Sequence, residues 1–97
     1  MESNSNNIME LILSIGFNSL LHNTYFEINN PPVVPIEGEL FDCHWADFIQ
    51  DKEAIDTLED YDDNGVWITH IVSKQYFKNK VVVHVQLFEE QHYTKPW

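Results

Sequence analysis

The sequence predicts an α+β fold, a mostly antiparallel sheet of about four strands with two helices on one face, ordered α-β-β-α-β-β and closed by a long C-terminal hairpin. Three stretches carry this prediction. Residues 66–72 and 81–88 are two runs rich in β-branched and aromatic side chains, which suit a pleated surface. Residues 45–59 place Trp45, Phe48, Ile49, Ile55 and Leu58 at helical spacing. Residues 8–21 are apolar nearly all round, the pattern of a buried helix.

In chain order, residues 2–6 are a polar lead-in. Asn7, with Glu10 three residues on, resembles a capping arrangement at the start of the first helix, which Gly16 interrupts. Residues 24–28 read as a short strand. The Asn29-Asn30-Pro31-Pro32 run then breaks regular structure, because proline offers no N–H and restricts its predecessor. Residues 33–35 are extended, and residues 36–41 alternate as a second strand weakened by Gly38. The second helix puts Asp47, Gln50, Asp51, Glu53, Asp56 and Glu59 away from its apolar stripe and ends in residues 60–65. In the hairpin, the odd positions Trp67, Thr69, Ile71, Val83, Val85 and Leu87 form the core face, because strand side chains alternate. One register of that parity sets His70 opposite His84 across a loop of roughly seven residues, and a shift by two keeps the faces but separates the histidines. Residues 1–97 make one domain, with 1–6 and 91–97 flexible.

The chain has 97 residues, and its 43% hydrophobic content suffices for one modest core. The net charge is −11, from 16 acids against five basic residues, all of them lysine. A chain without arginine lacks the planar fork that grips phosphate, so direct nucleic-acid binding and anionic membrane surfaces are disfavoured. Cys43 is the one cysteine, which rules out an internal disulfide and suits a reducing compartment. No positively charged leader precedes the first apolar run, so a cytoplasmic location is expected.

Candidate chemistry is sparse. Asp60-x-Asp62-x-Asn64-Gly65 matches the first half of a calcium loop, but Ile68 and Ile71 fall where its later ligands belong, and an acidic Asn-Gly turn explains the same letters. His70 and His84 are candidate metal ligands if they pair across the strands, with Cys43, His44 or His92 as further donors. Cys43 and His44 adjoin in sequence, and strand neighbours point to opposite faces, so they do not form a nucleophile–base pair. With Gly16, Gly38 and Gly65 its only glycines, the chain has no phosphate-cradling loop. No catalytic residue and no cofactor are therefore expected.

Charge distribution points elsewhere. Residues 37–63 hold 11 acids (Glu37, Glu39, Asp42, Asp47, Asp51, Glu53, Asp56, Glu59, Asp60, Asp62, Asp63) and one base, Lys52. A fixed negative face steers basic partners. The expectation is a non-catalytic regulator or inhibitor that engages a basic protein partner, of the kind that handles nucleic acid, by imitating a phosphate array. Asp51, Asp56, Glu59, Asp60, Asp62 and Asp63 carry the charge, and Trp45 or Tyr61 the apolar anchor. Lys74, Lys78 and Lys80 gather around Tyr76 and Phe77 at the hairpin tip, which allows a homodimer by contact of tip with acidic helix. The alternatives are a metal-binding protein using His70 and His84, or a subunit of a larger assembly.

Overall fold

The computed structural model describes residues 9–18, 21, 23–62 and 65–95. Five strands form one curled, mixed sheet: β1 (Glu10–Phe17), β2 (Phe26–Asn29), β3 (Leu40–Phe41), β4 (Trp67–Tyr76) and β5 (Lys80–Glu89). Among the described residues there is one α-helix, α1 (Lys52–Asp62), which follows a 3-10 turn at Trp45–Asp47. The spatial order is β2-β1-β5-β4-β3. Strand β1 runs parallel to β5, and the other three pairings are antiparallel.

This corrects the expected two helices and four antiparallel strands. Residues 10–17 are strand, paired with β5 from Glu10↔Lys80 to Phe17↔Leu87. An apolar run of this length suits a doubly covered strand as well as a buried helix, and here a sheet neighbour on each side takes up its backbone groups. Leu13, Ile15 and Phe17 alternate into the core, and the ring of Tyr25 lies over Gly16, within 2.9 Å of where a Cβ would sit. The supposed cap residue Asn7 lies outside the described residues. The second helix is also shorter than expected. Its apolar spacing before residue 52 belongs to the 3-10 turn, and Asp51 caps α1 by accepting the Glu53 N–H at 3.0 Å.

The hairpin buries Trp67, Thr69, Val83, Val85 and Leu87, with Ile71 half-buried beside them. Leu13, Ile15, Phe17 and Phe26 extend that face across β1 and β2, and Trp45, Ile49, Ala54 and Leu58 cover it. The register departs from the one that faces the histidines. His70 pairs with Gln86, and a bulge between Ile71 and Ser73 sets Ser73 against His84. The turn is tight, Phe77 N–H donating to the Lys80 carbonyl at 2.8 Å, instead of a long loop.

Between β2 and β3 the chain crosses as a proline-rich strap. Asn30 launches it from the left-handed region (φ 51°), which asparagine tolerates. Its side chain accepts the Leu11 N–H at 2.9 Å while its own N–H donates to the Leu11 carbonyl. The strap lands on the outer edge of β4, where Gly38 N–H meets the Thr69 carbonyl and Thr69 N–H meets the Glu39 carbonyl, both at 2.8 Å. Glu37 fixes the landing. It accepts from Ile71 N–H (2.8 Å), His70 Nδ1 (3.0 Å) and the Tyr93 hydroxyl (2.7 Å). Tyr93 follows a second 3-10 turn, Glu90–His92, so one carboxylate joins the strap, β4 and the segment after β5.

Candidate binding site: an acid-rimmed groove beside the helix

The acidic residues singled out in sequence fall into two groups. Asp56, Glu59 and Asp60 are exposed on α1, and Lys52, the only base on the helix, reaches Asp56 at 2.9 Å. Asp51 and Asp62 do structural work as well. Asp51 caps the helix, and Asp62 accepts the Trp45 indole N–H at 2.7 Å. Asp63 and Asn64 lie outside the described residues. Asp60 and Asp62 sit in the last turn of α1, whereas a calcium loop needs them on irregular backbone.

Neither expected aromatic anchor faces a partner. Trp45 is 2% exposed, packed against Phe17, Phe26 and Phe41, and it belongs to the core. Tyr61 is half-buried against Trp67, ring centres 4.7 Å apart, with its hydroxyl donating to the Val66 carbonyl at 3.2 Å. Both aromatics are spent inside, since each offers a large apolar body with one polar atom that finds a nearby acceptor.

The histidines are likewise apart in function. His70 turns to Glu37, and His84 lies 3.3 Å from the Gln75 amide oxygen. No group of three potential metal ligands occurs among the described residues.

Instead, the structure opens an apolar groove of about 240 Å³ beneath the strap. The sheet contributes Leu13 and Ile28, and the strap contributes Pro31, Pro32, Val33 and Pro35. Leu40, Phe41 and Phe48 line it further, together with Glu39, whose carboxylate accepts the Ile36 N–H at 3.0 Å, and Asp42. Val33, Leu40 and Phe48 are exposed large apolar side chains, so the groove is open to a visitor. Cys43 also lines it, and its thiol is pushed up to about 12, first by burial and then by Asp42, Asp62 and Asp47. Nearby, His44 is held above its ordinary value, chiefly by its hydrogen bond to Asp47 at 3.0 Å.

Sequence reasoning passed over this groove because Pro31 and Pro32 read only as breakers and residues 33–35 only as an extended segment. The available signal was that Val33, Val34 and Ile36 are apolar residues on a segment with little capacity to pair. A second hollow, of about 480 Å³, lies on the opposite sheet face between Tyr25, Val72 and His84, and its lining includes no acid and no lysine.

Fold and site together define a small acidic α+β protein with an apolar groove open beneath its proline-rich strap. No protein-family model, curated protein or solved structure matches the chain. No helix among the described residues is long and apolar enough to cross a membrane.

Proposed function

We propose that this is a non-catalytic regulatory or inhibitory protein that binds a basic surface of a protein partner. The supporting observation is the apolar groove whose lining includes Glu39 and Asp42 and whose neighbouring helix exposes Asp56, Glu59 and Asp60. Affinity in protein interfaces comes from an apolar anchor in a pocket, and charge around it selects the partner and speeds the encounter. The groove supplies the pocket that Trp45 and Tyr61 do not. A partner that places an apolar side chain there, flanked by lysine or arginine, satisfies both halves. Surfaces of that kind are common on nucleic-acid-handling proteins, which carry basic patches to neutralise phosphate. A reducing, cytoplasmic setting suits a lone cysteine held as the thiol.

The test is affinity capture from the native host's lysate using three baits: wild type, the Asp56→Lys/Glu59→Lys pair, and Leu40→Asp. A stoichiometric basic partner that salt releases, and that both variants lose, supports the reading. A partner retained equally by all three baits, or no stoichiometric partner, rejects it.

A further inference from the structure

The far half of the hairpin carries an unused feature. Strand β3 covers β4 only at Trp67 and Ile68, and beyond the bulge every β4 residue is exposed. At the tip Tyr76 is 72% exposed and Phe77 45%. Lys80 Nζ stands 5.0 Å over the Phe77 ring, and Lys74 and Lys78 flank the pair. Three of the five lysines are thus grouped around two exposed aromatics. None of these tip residues lines the groove of its own chain.

We infer that the protein self-associates by seating the Tyr76–Phe77 tip of one copy in the Glu39/Asp42-rimmed groove of a second copy. The two surfaces are complementary in apolar character and in the sign of their local charge. The tip is aromatic and basic, and the groove is apolar and acidic. At about 240 Å³ the groove is smaller than a usual drug-sized site and suited to a side chain. The tip is a two-strand ladder closed by a tight turn, so little ordering entropy is lost on docking. Each aromatic buries at most about 150–250 Å², so one contact falls below the roughly 1,200 Å² of a stable interface and association is weak. Two such contacts form a closed pair if the geometry is reciprocal, and single contacts join copies head to tail if it is not. The inference goes beyond the partner-binding reading and does not need it, since a chain with no foreign partner still self-associates.

Analytical ultracentrifugation of the full chain tests it, from about 10 µM to about 1 mM to span weak affinities. Two variants change exposed residues only: Phe77→Asp at the tip and Leu40→Asp, which is 64% exposed, at the groove. Wild-type mass should rise with concentration and fall back as salt is raised. Each variant should weaken self-association at least about tenfold, with circular dichroism confirming that it is folded. An equimolar mixture of the two variants should regain dimers, because an intact tip then meets an intact groove. Wild type that stays monomeric throughout overturns the inference. So does association that survives both variants, or a mixture that remains monomeric. Phe77→Asp leaves the groove intact, so its capture of a foreign partner reports on the earlier proposal separately.

Discussion

Removing the Glu37 carboxylate should unfasten the strap. It is the common acceptor for Ile71 N–H, His70 Nδ1 and the Tyr93 hydroxyl, at 2.8, 3.0 and 2.7 Å, with its side chain 19% exposed. A hydrogen bond to a charged group contributes about 1.5–3 kcal/mol, and three sharing one acceptor contribute less than their sum, so Glu37→Ala should cost about 2–4 kcal/mol. In a chain of this size that lowers Tm by about 10–30 °C. Glu37→Gln should cost less but not nothing, because the amide keeps one acceptor for the Ile71 N–H but gives up the charge that strengthens all three bonds. Burial raises the Glu37 pKa, and the bonds from His70, Ile71 and Tyr93 outweigh it, so the carboxyl lies below its ordinary 4.5. Its stabilisation is therefore complete above about pH 4.5 and is lost as pH falls through the lower folded value. Urea unfolding followed by tryptophan fluorescence, at neutral pH and in steps into acid, measures both effects. If Glu37→Ala costs less than about 1 kcal/mol at neutral pH, or its deficit does not shrink in acid, the carboxylate is not the fastening described.

Two further predictions concern single atoms. The Thr69 hydroxyl is fully buried and has no hydrogen-bond partner among the described residues. Thr69→Val should therefore stabilise by about 1 kcal/mol, visible as a rise in Tm, and a fall would reveal a partner for the hydroxyl. Cys43, with its thiol pushed up to about 12 by burial and by Asp42, Asp62 and Asp47, should be inert. At pH 8 its alkylation should run at least about 100-fold slower than that of a free cysteine and recover in denaturant, and rapid labelling of the folded protein would contradict the environment described.

The hairpin was legible in the sequence because period-two alternation of β-branched residues has one way to bury Trp67, Thr69, Val83, Val85 and Leu87. The core stripe of α1 was legible in Leu58 and Ile55, though not the helix start, which Asp51 sets by capping. The His70–His84 pairing failed for a local reason, since one bulged residue at position 72 changes every partner beyond it and no periodicity encodes it. The aromatic anchors failed because spacing shows that Trp45 and Tyr61 are apolar but not which layer claims them.

By itself the sequence determined the acidity, the absence of arginine, the buried face of the hairpin and the crowding of lysines around Tyr76 and Phe77. These follow from residue type and short-range alternation, which act along the chain. Only the tertiary structure decided that residues 10–17 are a strand beside β5, that the prolines form a strap, and that a groove opens beneath it. Those outcomes rest on contacts between segments far apart in sequence, as when Leu13 meets Val83 and Glu37 meets Tyr93. An all-round apolar run is equally content in a helix or a central strand until a neighbour takes up its backbone hydrogen bonds, and that neighbour is settled only by the fold.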